Sequence, residues 1–311
     1  MRFCSFKRKS DNKDSWGVMS GPDTVADFSS LAPDLRSFLE KDGLTRFSQI
    51  EKETKNHPQL NISEVVLKAC LPNPPTIRDG YAFRNHVEAS RRNRNLPMIP
   101  EFEEFPVFYY GEPRSIIGPG DVKVQSKHLD HLDFELEVGV VIGKKGKNIP
   151  AEKADEYIAG YMIWNDWSAR ALQVAEMKLS MGPVKGKDFA NAFGPWLVTR
   201  EELASKKIPG PKGERFDLSM KAFVNGKQYS SGNLKDMSFT FAQIIERASY
   251  GCTIYPGDVF GSGTVGSGCI MEGVGYAPSD KWIKEGDEVE LQVEGLGVLK
   301  NKVVLVGDEL E

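Results

Sequence analysis

Glu135 and Glu137 occupy alternate positions in the stretch 132–143, LDFELEVGVVIG. Asp133, Glu135 and Glu137 alternate with Phe134, Leu136 and Val138, and the apolar run Val140-Val141-Ile142 follows. Such alternation is the period of a strand, in which residues i and i+2 share a face. Carboxylates projecting together repel unless water or a cation relieves them. A hard divalent ion such as Mg²⁺ or Ca²⁺ suits a set of oxygen ligands. An edge strand with a wet acidic face is the other reading of this segment.

Further groups of the same chemical kind lie along the chain. Asp79 and His86 fall in RDGYAFRNH, residues 78–86. The pattern predicts a helix over 81–94, with Asp79 in an N-cap-like position before it and Arg91, Arg92 and Arg94 on a solvated face. A cap and an ordinary helix histidine are the structural alternatives to an acid and a base. Asp166 is expected to cap a helix over 167–180, which stacks Asp166, Arg170 and Gln173 on one face. That row is either a surface salt-bridge ladder or a pocket wall. The loop 184–189 carries Lys185 and Lys187 around Gly186. The stretch 261–268, GSGTVGSG, lacks the P-loop lysine and its strand–helix context, so a nucleotide site is excluded and a mobile turn is expected.

The elements that must position these groups are mostly short. Residues 1–70 read as a small leading domain, with helix-like spacing over 28–42 and 44–54 and a strand over 65–67. Proline-rich punctuation at 71–75 marks the boundary, and 71–311 form the second domain. Strands are expected over 106–110, 160–164, 194–198 and 286–293, and a short helix over 151–158. Asn225-Gly226, between the strand candidates 218–223 and 227–230, is a strong hairpin signal. A helix over 239–248 is expected to be capped by Ser238.

Composition narrows the class. The 311 residues are 40% hydrophobic with 10% aromatic, enough for a substantial core. A net charge of -4 argues against nucleic acid as a partner. No apolar run approaches the ~18 residues of a membrane span. Cys4, Cys70, Cys252 and Cys269 form no CxxC and read as reduced thiols of a cytoplasmic protein. The 30 glycines and 18 prolines, well spread, point to a turn-rich, β-rich protein.

Taken together, these motifs resemble the fumarylacetoacetate hydrolase family over residues 72–306. The resemblance is carried by ExE (Glu135, Glu137), NDWSAR (165–170), KGKDF (185–189) and the Gly263-Thr264 pair, in this order and spacing. It implies a mixed, β-rich α+β fold, a rolled β-sandwich behind a small N-terminal domain, paired as a homodimer. It implies Glu135, Glu137 and Asp166 as metal ligands, with Asp79 as a fourth. His86 then matches a general base oriented by Glu272. Arg170, Gln173 and Lys187 match an oxyanion-binding set, and Tyr81 and Thr264 match substrate contacts. Met177 stands where a substrate-touching tyrosine is expected, and Asn191 where threonine is expected.

The implied reaction is hydrolysis of a carbon–carbon bond in a 1,3-diketo acid, with Mg²⁺ or Ca²⁺, or else Mn²⁺, as cofactor. A small keto or diketo acid is then the partner. The alternative within the resemblance is decarboxylation of oxaloacetate-like acids, or isomerisation of hydroxydienedioates in aromatic catabolism. Those reactions need a stabilised enolate but no hydrolytic water, and the His86–Glu272 pair favours hydrolysis. A catalytically silent scaffold has no need of clustered carboxylates.

Overall fold

The structure is a computed structural model that describes residues 1–210 and 212–307. The strands Leu136–Ile142 and Ile158–Asp166 run antiparallel at the centre of a long mixed sheet, with Leu136 opposite Asn165 and Glu137 opposite Trp164. Beyond Ile158–Asp166 comes Asn191–Val198. On the other side lie Val259–Gly261, then Ile77–Gly80, then Phe108–Gly111. The glutamate strand thus has neighbours on both sides, and each of its residues is buried. The wet-edge reading is overturned. Its neighbours come from residues 158–166 and 259–261, which no local pattern around residue 136 announces.

A second sheet holds Lys227–Asn233, Ser219–Val224, Glu288–Val293, Gly297–Leu305 and Gly120–Val124 in that order. The predicted hairpin joins the first pair: Asn225 (φ 49°) and Gly226 (φ 75°) take the left-handed conformation that a tight turn between twisted strands requires. Val138, Val140 and Ile163 of the long sheet pack with Leu291 and Leu299 of the second sheet and with Ile244 of the helix Phe241–Ser249 in the main core. The fold is the expected mixed, β-rich one. Among the described residues, no helix is long and apolar enough to cross a membrane.

Residues before 71 add Arg2–Arg8, Asp14–Met19 and Thr24–Asp27 to the long sheet, joined to it by the pairs Arg2↔Val198 and Phe3↔Leu197. Phe3, Trp16 and Phe38 of this segment share a second core with Val141, Met162, Trp164 and Phe193. Val140 and Val141 fall in different cores, so the two cores cover opposite faces of the sheet. Trp164 has no exposed surface, and its ring centroid lies 5.0 Å from that of Phe193. Trp164→Ala is expected to cost about 3–5 kcal/mol, read from urea unfolding. A loss below about 1 kcal/mol would show that the cavity collapses without penalty.

Several helix boundaries differ from expectation. The region 28–42 holds only the helix Leu35–Glu40, capped by Asp34, whose carboxylate accepts from the Ser37 N–H at 2.7 Å. The helix expected from residue 81 begins at Arg84, because the chain up to Gly80 is strand. Asp79 is therefore no cap but a strand residue. Asp166 ends a strand, and the helix after it is Arg170–Met177. Thr240, not Ser238, caps Phe241–Ser249 through a reciprocal bond with Gln243.

Candidate active site

Strand order brings distant acids together. Asp79 lies on Ile77–Gly80, Glu137 on the central strand with Glu135 just before it, and Asp166 at the end of Ile158–Asp166. One carboxylate oxygen from each of these residues lies within 4.8 Å of the others, and all four side chains are buried. The Asn165 side chain accepts from the Glu135 N–H at 3.1 Å and fixes the backbone between the two glutamates. The glycine-rich stretch closes the group from one side. A Cβ on Gly261 would lie 2.1 Å from Asp79 Oδ1. Gly263 (φ 74°) donates its N–H to that oxygen at 3.2 Å. Residues 259–265 are buried, so this is a packed wall and not the mobile turn expected.

So many acids in one dry place perturb one another. Burial, reinforced by the Asp166 charge, pushes Asp79 up to about 8. Burial and the neighbouring Asp79 raise Glu137 well above the carboxylate range. Asp166 is raised to about 6 by burial, against the pull of Lys187. Glu135 goes the other way: burial pushes it up, but the charges of Lys187 and Arg170 hold it below the usual range. Lys187 bonds both Glu135 and Asp166, the latter at 2.6 Å. Even so, Glu137 Oε2 and Asp166 Oδ1 are buried without a hydrogen-bond partner. Unpartnered acid oxygens in an all-oxygen donor set fit a hard divalent cation, which would displace their protons, and fit zinc less well.

Beside the acids, His86 Nδ1 lies 2.7 Å from Glu272 Oε1, which leaves Nε2 for the cavity. Glu272 Oε2 accepts from the Ser267 N–H at 2.7 Å, so the carboxylate is held at both oxygens. Tyr81 packs edge-on against the His86 ring, with centroids 5.5 Å apart. Arg170 is buried. It reaches Asp133 and Glu135 at 2.8 Å and donates to Gln173 Oε1 at 2.9 Å. The last contact turns the Gln173 amide nitrogen away from Arg170. The predicted helical row of Arg170 and Gln173 is thus a pocket wall, without Asp166 as its cap. Thr264 donates to Glu137 Oε1 at 3.2 Å.

Asp79, Tyr81, His86, Glu135, Arg170, Gln173, Met177, Lys187 and Thr264 line one cavity of about 720 Å³. Glu137 and Asp166 lie behind this lining. Asn191 does not reach it: its side chain accepts from the Trp164 indole at 3.0 Å and braces the sheet. Tyr109, which sequence reasoning missed, does reach it. Tyr109 pairs with Asp79 across the sheet and donates to Asp166 Oδ2 at 2.5 Å. The only signal for it is its place in an apolar strand candidate, which says nothing of the acid it meets.

Residues 76–304 match the family model described as fumarylacetoacetate (FAA) hydrolase C-terminal. The chain belongs to the fumarylacetoacetate hydrolase family. A Burkholderia cenocepacia protein, whose name goes no further than hydrolase, is 34% identical over 283 residues, 90% of this chain and 92% of that protein. Among solved structures, the fold is shared with maleylpyruvate hydrolase from Sphingobium sp. SYK-6, determined with manganese(II) and pyruvate. There the TM-score is 0.72 at 21% identity, covering 98% of this chain and 99% of that one. It is also shared with a 5-carboxymethyl-2-hydroxymuconate delta-isomerase from Mycobacterium smegmatis. That TM-score is 0.68 at 23% identity, covering 98% and 100%. Proteins that share this fold thus include both a hydrolase and an isomerase by name, and family membership makes the chain an enzyme of this family without choosing between those reactions.

Proposed function

We propose that this family member hydrolyses a carbon–carbon bond in a 1,3-diketo acid of the fumarylacetoacetate or acylpyruvate class. The observation that carries the reading is the His86–Glu272 pair, whose buried histidine opens on the same cavity as the carboxylate cluster. Asp79, Glu135, Glu137 and Asp166 would hold a divalent ion, Mg²⁺, Mn²⁺ or Ca²⁺. When bound, such an ion supplies Lewis acidity toward the dioxo group and the enolate that departs from it.

The protein's own residues do the rest. Glu272 accepts a hydrogen bond from His86 Nδ1–H and fixes the tautomer in which Nε2 is basic. Nε2 takes a proton from water, and the resulting hydroxide adds to the acyl carbonyl. The Gln173 amide and the third N–H of Lys187 face the oxyanion that forms. Arg170, tied to Asp133, Glu135 and Gln173, orients these groups and adds its positive charge beside the oxyanion. The central carbon–carbon bond then breaks. The acyl half leaves as a carboxylic acid, and the enolate half takes a proton from His86 to become the other product, a keto acid. Burial of the acids strengthens each of these charge interactions.

The isomerase and decarboxylase reading needs the acids but gives the His86–Glu272 pair no water to activate. Purified protein incubated with acylpyruvates, fumarylacetoacetate and oxaloacetate separates the two, with Mg²⁺, Mn²⁺ or EDTA present. The expected result is metal-dependent loss of the enol–diketone absorbance with release of a carboxylic acid and a keto acid. Carbon dioxide from oxaloacetate with inert diketones would overturn the proposal.

A further inference from the structure

Asp133 has no exposed surface and never meets the cavity, yet it is the most heavily bonded carboxylate near the site. Its Oδ1 accepts from the Phe134 N–H at 2.9 Å and the Ile270 N–H at 2.7 Å. Its Oδ2 accepts from Arg170 Nε at 2.8 Å and the Met271 N–H at 3.1 Å. These partners belong to different halves of the site. Ile270 and Met271 open the short helix Ile270–Val274, which carries Glu272 and has no side-chain cap from its own Cys269. Asp133 supplies from a distant strand the acceptors that a capping residue would normally provide. Arg170, on the other side, passes from Asp133 to Glu135. The strand pairing Leu132↔Ala169 and Asp133↔Ser168 holds the two chain segments together at this point.

We propose that Asp133 is a positioning residue that sets the His86–Glu272 pair and Glu135 in fixed relation to each other. It touches neither substrate nor cofactor. It acts through the turn that aims Glu272 at His86 and through the guanidinium that aims Glu135 at the other acids. The proposal rests on the reading of His86 as the base.

Asp133→Asn tests it with little change of shape. The new amide NH₂ would face either Arg170 Nε with Met271 N–H or, flipped, Phe134 N–H with Ile270 N–H, donor against donor, so the turn that carries Glu272 loses an acceptor either way. In ¹⁵N-histidine spectra of the Mg²⁺-loaded chain, with His86 assigned by its absence in His86→Ala, the His86 ring resonances are expected to shift. Mn²⁺ affinity is expected to weaken by about 10–100-fold, as when outer partners of a ligand are lost. Arg170→Lys removes the guanidinium that joins Asp133 to Glu135 but leaves the Asp133 bonds to Ile270 and Met271, so it should weaken Mn²⁺ binding and leave the His86 resonances in place. This second variant carries the test should Asp133→Asn fold poorly. At saturating Mn²⁺, where the Glu135 side no longer limits turnover, the loss from Asp133→Asn should largely vanish in a Glu272→Gln background. Lowered thermal stability with wild-type His86 resonances and Mn²⁺ affinity in Asp133→Asn would overturn the proposal, as would Arg170→Lys with wild-type Mn²⁺ affinity. The spectra and metal titrations need no substrate. A chain inert toward diketo acids would refute the proposed reaction and leave this test standing.

Discussion

His86→Ala should lower hydrolysis of the preferred diketo acid by about 10²–10⁴-fold, the range for loss of a positioned acid–base group. The Mn²⁺ dissociation constant should not change, because His86 bonds Glu272 and none of the clustered acids. Steady-state kinetics and calorimetric titration check the two halves. The residual rate should be insensitive to Glu272→Gln in the same background, since Glu272 acts through the ring that has been removed. Near-wild-type turnover in His86→Ala would remove the water-activation role and revive the isomerase or decarboxylase reading. A loss of metal binding instead would mean that the ring belongs to the ion's surroundings.

Glu137→Gln should have opposite effects on binding and on stability. It replaces an acid that burial and Asp79 hold protonated far above its usual range, at a cost in stability near neutral pH, so the metal-free protein should melt at a higher temperature than wild type. Its Mn²⁺ affinity should fall at least about 100-fold, the upper end of what losing a mere outer partner costs. The sign of the pH dependence follows from the same crowding. Asp79, pushed up to about 8 from a usual 3.8, stays protonated in the folded chain where it ionises in the unfolded one. Its contribution to stability is full below pH 3.8 and is lost as pH rises toward 8. Metal-free wild type should therefore melt progressively lower between those limits, and Glu137→Gln should flatten the slope. Excess Mn²⁺ should reverse it, because binding displaces protons and strengthens as pH rises. Differential scanning calorimetry across that window, with EDTA and with Mn²⁺, reads all three. A metal-free Glu137→Gln that melts below wild type would sink the account of repulsion.

These features differ in how far the amino-acid order announces them. Glu135 and Glu137 are legible because a period of two residues is a local signal, and Arg170 with Gln173 because a helical turn is another. Asn225-Gly226 marks its turn through its own backbone preferences. Asp166 misleads for the same reason. An acid before an apolar, helix-like run looks like a cap, and only its pairing with Asn191 across the sheet shows it to be strand. Tyr109 on Asp166 and Asp133 on Ile270 join residues far apart in the chain, and no spacing rule reaches that far. The gathering of Asp79 with Glu137 depends on the parallel pairing of Val259–Gly261 with Ile77–Gly80, a non-local event. The resemblance supplied these long-range relations for the residues its motifs name, and was silent on Tyr109 and Asp133.

Trp164 ties the second core to the site: its ring packs against Phe193 on one side, and a Cβ on Gly261 would meet it at 2.7 Å. Phe3, Trp16 and Phe38 lie in that same core, although residues before 71 place no side chain in the cavity. They insulate it. The flank they cover is the one that Glu137 shares with Val141 and Asp166 shares with Trp164. Water admitted there would screen the acids from one another and from Lys187, and their attraction for a cation would weaken with it. The leading residues therefore set the voltage at which the site works, from a position where substrate never meets them.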